Sequence, residues 1–153
     1  MTHFLGTHQN RLDAKGRVSV PAPFRTALKN GSETTTQLVL RPSHQHPCIE
    51  AWPAPVFAAL AEPLNRLEMF SEAHEDLSAA LYADAFPVES DKEGRIVLPD
   101  HLVSHAGLQD TVVFMGLGRT FQIWEPAAAE RRRAGARERA RQLGFTLPGG
   151  APK

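Results

Sequence analysis

A chain of 153 residues has the length of one domain, or of two small units sharing a core, and with 42% apolar side chains it can bury that core. Seventeen basic and seventeen acidic residues cancel, which excludes a molecule-wide field for polyanions or membranes and leaves any charged partner to a local patch. A lone cysteine, Cys48, excludes an internal disulfide; the opening MTHFLGTHQNRLD has neither the charged flank nor the apolar run of a secretion signal, and no stretch is apolar over a bilayer's width, so a soluble cytoplasmic protein is expected.

The first phrase with local meaning is DAKGRVSVP, from Asp13. An aspartate followed by two variable residues and a glycine is a turn: its carboxylate accepts from amides further on, and Gly16 supplies the positive φ of a tight reversal. Arg17 to Val20 then alternate, Val18 and Val20 to one side, Arg17 and Ser19 to the other, which predicts a strand with Arg17 facing outward at the mouth of a hairpin. Pro21 has no amide hydrogen for a ladder and suits the first turn of a helix. Phe24 and Leu28, four apart, predict that helix, closed by Asn30-Gly31. Two strands follow, Gln37–Leu40 and the CIEAW run ending at Trp52. His44, His46 and Cys48 lie between them, two apart and so aligned for zinc in an extended strand, but Pro42 and Pro47 interrupt it and favour an exposed loop.

From Ala54 to Asp84, Val56, Phe57, Leu60, Leu64 and Leu67 recur at helical spacing, with Phe70, Leu77 and Leu81 extending the stripe and Pro63 expected to kink or divide it. At Asp91 the first phrase returns as DKEGRIVLP, shifted by 78 residues and identical at Asp91, Gly94, Arg95 and Pro99. Ile96 and Leu98 take the inward face, Leu102 and Ala106 predict the second short helix before Gly107, and Thr111–Met115 and FQIW, ending at Trp124, predict two strands. GLG at Gly116–Gly118 lacks the following helix and third glycine of a dinucleotide loop and reads as a turn. Ala127–Leu143, rich in Ala, Arg and Glu, predicts a last helix, and Pro148–Lys153 a disordered end. Each unit of this internal duplication has an apolar face too small to close a core alone, so the two are expected to pack together or on a second chain.

Charge is segregated along these elements. Residues 1–31 carry five cations against Asp13, a net +4; residues 54–90 carry seven carboxylates against Arg66, a net −6; residues 130–141 carry six arginines against Glu130 and Glu138, a net +4. A polyanion partner is compatible with that pattern despite the neutral total.

The duplicated DxxxR turn, as DAKGR and DKEGR, each followed by an apolar strand and a proline, together with the FLG opening and the GRTFQIW strand, resembles the MraZ family of bacterial transcriptional regulators from about Phe4 to Trp124. The resemblance implies a β-rich α+β fold, a swapped-hairpin double-split β-barrel built from two tandem AbrB-like repeats at residues 4–53 and 87–126. A helical connector at 54–86 and an Arg-rich helix with a disordered end at 127–153 complete it. It further implies a ring-shaped homo-oligomer, such as an octamer or dodecamer, that is cytoplasmic and nucleoid-associated, has no cofactor and is not an enzyme. Such a ring would bind short promoter repeats in double-stranded DNA upstream of the cell division and cell-wall operon, usually its own. The competing reading of the same architecture is an antitoxin-like AbrB module that binds DNA and captures a protein toxin with its tail; the short, arginine-rich tail argues against it.

Arg17 is the expected principal DNA contact, supported by Lys15 and Arg11, with Arg95 and Lys92 as second-repeat candidates; Asp13, Gly16, Asp91 and Gly94 are expected to hold the turns. An outward guanidinium is a planar fork for phosphate oxygens or for guanine O6 and N7. Lys15 aligns with Glu93, and Lys92 with Ala14, so the first repeat is the expected better DNA face. The other reading of the same residues pairs Arg17 with Asp13 and Arg95 with Asp91 and makes both motifs structural. No catalytic residue and no metal site are expected: no nucleophile or second positioned carboxylate accompanies the aspartates, and His101 and His105, four apart, lack a third ligand. Trp52 and Trp124 read as core anchors. The Arg-rich tail reads either as an added grip on phosphates or as a solvated helix, and no site residue is placed there.

Overall fold

A computed structural model of the protein describes residues 3–29 and 37–148; the Asn30-Gly31 helix stop and the end from Gly149 lie outside the described residues. The strands are β1 Thr7–Arg11, β2 Arg17–Ser19, β3 Gln37–Pro42, β4 Ile49–Pro53, β5 Phe86–Glu89, β6 Arg95–Val97, β7 Thr111–Gly116 and β8 Phe121–Trp124. The helices are α1 Ala22–Leu28, α2 Ala54–Ala58, α3 Ala61–Leu64, α4 Glu72–Ser78, α5 Asp100–Ala106 and α6 Pro126–Leu143, with a π-helical turn, Ala79–Ala83, after α4. Pro21 and Pro99 stand at the N-caps of α1 and α5, where a missing amide hydrogen costs nothing, and Gly107, at φ +64°, closes α5.

Six strands form one antiparallel sheet in the order β1-β7-β8-β4-β3-β5, and β2 and β6 form a separate antiparallel ribbon. Among the described residues of each repeat, only the last two strands pair with one another as strands, β3 with β4 and β7 with β8. The first strand of each repeat pairs with the other repeat instead, β1 on β7 and β5 on β3, and the two post-turn strands pair with each other, Val18 opposite Ile96. The exchange is reciprocal, and its reason is burial. The main core cluster draws nine side chains from Phe4 to Ala51 and nine from Ile96 to Ile123, so neither repeat owns a closed interior. Val18, Val20, Ile96 and Leu98 are buried as the alternation requires, and Phe24 of α1 and Leu102 of α5 sit with them against Leu38, Leu40, Phe114 and Phe121 of the sheet. Fully burying each such side chain contributes about 1.5–3 kcal/mol, which rewards a core shared across both repeats over two half-cores.

The sheet's other face carries a second, smaller cluster of Cys48, Val113, Met115 and Trp124, capped by Ala129 of α6. Here the loop between β3 and β4 departs from expectation. His44 is exposed, but Cys48 is wholly buried, and that burial pushes its thiol up to about 12. The connector divides beside Pro63 as expected, but its apolar stripe departs. Pro63 lies in the first turn of α3, and the helix is interrupted just before it, between Ala58 and Ala61. The stripe also ends early: Leu64 is buried, but Phe70 is 84% exposed in a left-handed conformation, φ +70°, and Leu77 is exposed. Among the described residues no helix is long and apolar enough to cross a membrane.

Candidate nucleic-acid interface

Each turn is built by its aspartate. Oδ1 of Asp13 accepts the amides of Lys15 at 2.9 Å and Arg17 at 2.8 Å, and Oδ2 accepts Nε of Arg17 at 2.8 Å. Oδ1 of Asp91 accepts the amides of Glu93 and Arg95, both at 2.9 Å, and Oδ2 accepts Nε of Arg95 at 2.9 Å. Stabilised chiefly by the amide of Arg17 and of Arg95 respectively, both carboxyls titrate below the usual aspartate range, and the hydrogen bond that Arg95 donates to Asp91 raises Arg95 in turn. Gly16 and Gly94 both take φ +81°, which a side chain would resist. Each turn is also stitched to the other repeat: the amide of Leu98 donates to Gly16 O at 2.8 Å, and that of Val20 to Gly94 O at 2.9 Å.

The ribbon places the arginines side by side. Arg17 lies opposite Val97 and Arg95 opposite Ser19, all four on the outer face because Val18 and Ile96 fill the inner one. Diagonal neighbours across such a pair stand about 7–8 Å apart, near enough to address one stretch of a duplex. Both pairings of the structural reading are present, yet the side chains remain 38% and 37% exposed. Pairing through Nε holds the plane of the guanidinium and leaves its terminal edge outward. The terminal nitrogens of Arg17 have no partner among the described residues, whereas Nη2 of Arg95 donates to Glu93 at 2.7 Å. The first turn thus offers an open fork and the second a partly occupied one.

Lys15 and Lys92 are exposed beside their turns. Arg11 is exposed at the end of β1, on the side of that strand shared with Thr7 and Gln9, opposite the His8 and Asn10 side that faces the core and ribbon. Arg25, part of the basic opening, is committed to structure: Nη1 donates to Val20 O at 2.6 Å, and its stem lies where a Cβ on Gly94 would fall, 2.3 Å from Cδ. Sequence reasoning passed over Arg41, which is 1% exposed. It pairs with Glu50, directly opposite it across β3 and β4, and Nη2 donates to Ala80 O at 2.7 Å, tying the π-helical turn to the sheet. The signal was an arginine inside an apolar run, readable only once Glu50 is known to face it.

His46 leans on Trp124, ring centres 5.9 Å apart, and among the described residues no three His, Cys, Asp or Glu side chains gather to hold a metal ion. Trp124 is buried and Trp52 half-buried; their indoles donate to the matching Gln122 and Glu50 at 2.8 and 3.1 Å, a second trace of the duplication. His101 and His105 are exposed on α5.

A tandem-repeat β-sheet protein that holds a paired, turn-fixed cationic face on a ribbon shared by both repeats is what the fold and site define. The family model described as "MraZ protein, putative antitoxin-like" matches residues 3–79 and 81–137, and the chain belongs to that family. A transcriptional regulator MraZ of Gluconacetobacter diazotrophicus is 69% identical over 150 residues, 97% of this chain and 95% of the relative. Relatives of the same name from Gluconobacter oxydans and Azorhizobium caulinodans are 62% and 42% identical, each spanning 99% of this chain and 94% and 95% of their own lengths.

Proposed function

We propose that the protein is a sequence-specific, non-enzymatic DNA-binding regulator of transcription that acts in the cytoplasm, at the nucleoid, on short repeats upstream of its own cell division and cell-wall operon. Two AbrB-like repeats, residues 4–53 and 87–126, form a swapped-hairpin double-split barrel around the shared ribbon, and several chains close into a ring. The names of the relatives support regulation, and the observation that carries DNA contact is the open fork of Arg17 at the turn. Arg17 is the principal contact, Lys15 and Lys92 meet phosphates, and Arg95 is a second base or phosphate contact. One protomer's contacts are few, but several faces on one duplex raise avidity by about 10² or more when geometry lets them bind together. A gel-shift titration on the DNA upstream of its own gene tests the reading: tight binding to the repeats, weak binding to scrambled DNA and loss of binding in Arg17→Ala are expected. Log affinity should fall with log salt by about 0.9 per phosphate contact. Equal binding to scrambled DNA, or an undiminished Arg17→Ala, would overturn it.

A further inference from the structure

The sheet face away from the ribbon is electrically divided. Arg41 and Trp52 lie on it, over β3 and β4, and hold the connector there: Arg41 through Ala80 O, Trp52 by a ring contact to Phe57, and Phe57 by one to Tyr82. Val113, Met115 and Trp124 lie on the same face over β7 and β8 and hold α6. One half of the face is therefore acidic, with Glu68, Glu72, Glu75, Asp76 and Asp84 all exposed, and the other basic. The ribbon arginines are on the far side of the sheet, so a duplex lying on the ribbon does not reach α6 of the same protomer through this face.

Helix α6 is polar around its circumference beyond Ala129, and a helix of that kind gains little from its own fold. Arg133 and Arg141 pair with Glu130 and Glu138 one turn away, while Arg131, Arg137 and Arg139 are exposed without an ion pair among the described residues. Among the described residues no ion pair joins α6 to the connector. Both charged elements also expose apolar side chains: Leu143, Phe145 and Leu147 at the end of α6, and Met69, Phe70, Leu77 and Tyr82 along the connector. Single exposed apolar residues are ordinary, but two separate groups, each set beside charge of opposite sign, are complementary to each other.

We propose that the connector of one chain is the docking surface for α6 and the Leu143–Leu147 segment of a second copy. The contact is head to tail, since different surfaces meet, and such contacts repeat from copy to copy until they close a ring. It rests on the homo-oligomeric part of the function proposed above and names the two surfaces that would form it.

The test is native mass measurement of the full chain without DNA. One variant carries Arg131→Glu, Arg137→Glu and Arg139→Glu, a second Glu72→Lys, Glu75→Lys and Asp76→Lys; these side chains are exposed and make no ion pair among the described residues, and circular dichroism checks that both variants fold. Each alone should fall to smaller species, because like charges then face one another. A one-to-one mixture should regain the parent mass, since reversed helix then meets reversed connector and native helix meets native connector in alternation. A third variant, Leu143→Ser with Phe145→Ser and Leu147→Ser, changes the last residue of the helix and two beyond it and should also weaken the assembly. A monomeric parent, variants that keep the parent mass, or a mixture that does not reassemble would each overturn the proposal. So would a charge-reversed α6 that keeps its mass and loses DNA affinity, the result expected if α6 grips phosphates. Arg17→Ala should lose DNA and keep its mass, so failure of the interface and failure of the DNA reading are told apart.

Discussion

At Asp13 and at Asp91 the chain makes the same hydrogen bonds to within 0.1 Å, yet one guanidinium ends in open solvent and the other on a glutamate. The aspartate, glycine and arginine make the backbone and carboxylate contacts, so they determine the shape of each turn. The exposed residues between them, Ala14 and Lys15 in one turn and Lys92 and Glu93 in the other, determine its charge. Shape and recognition are thus held by different residues, and a duplicated frame can specialise one half without disturbing its geometry. The second turn is also the more enclosed: Gly94 is buried under Arg25 of the first repeat, whereas Gly16 is half-buried against the carbonyl of Leu98.

The largest expected difference between the turns is in DNA affinity. A bidentate base contact discriminates by about 1–3 kcal/mol, so Arg17→Ala should weaken binding to the repeats by roughly tenfold to a hundredfold for each face engaged. Arg95→Ala should weaken it less; titration of both variants on one DNA fragment checks the order, and an equal loss would erase the asymmetry. Next comes stability. Gly94→Ala and Gly16→Ala each force a side chain into left-handed backbone, at a cost of about 1–2 kcal/mol. Gly94→Ala should cost more, because the new Cβ displaces Arg25 from its bond to Val20 O. Thermal unfolding reads the gap, and adding Arg25→Ala should lose less stability in the Gly94→Ala background than in the Gly16→Ala one.

A smaller change should make the turns alike. Glu93→Ala releases Nη2 of Arg95 and gives the second turn the charge of the first, so affinity should rise and the salt slope steepen by about 0.9 per added phosphate contact. A flat response would mean that the second turn does not reach DNA. The smallest effect is that of pH near neutrality. Both turn aspartates titrate below their ordinary value, so their contribution to folding is fully present above that value and is lost only as pH falls below it, through the lowered folded-state one. Between pH 8 and 5 the turn amides, followed by NMR, should not titrate with these carboxyls. A transition of both turns in that range would contradict the hydrogen bonding described.

Whatever depends on neighbours within a few residues was legible without a structure. The spacing of Asp13, Gly16 and Arg17 determines a turn because a carboxylate reaches only amides two to four residues on, and Val18 and Val20 determine a buried face because a strand alternates. The short helices after Pro21 and Pro99 and the last helix follow from the same local rules. The connector was the local failure: apolar spacing alone predicted a continuing stripe, but beyond Leu64 both Phe70 and Leu77 face water.

Only the tertiary structure decided which segments meet. That β1 lies on β7, that the two ribbon strands pair across repeats, that Arg25 closes over Gly94 and that Arg41 is neutralised by Glu50 all depend on register between distant parts of the chain. Register is chosen by the total apolar surface that the two repeats bury together, a quantity no short stretch of residues contains.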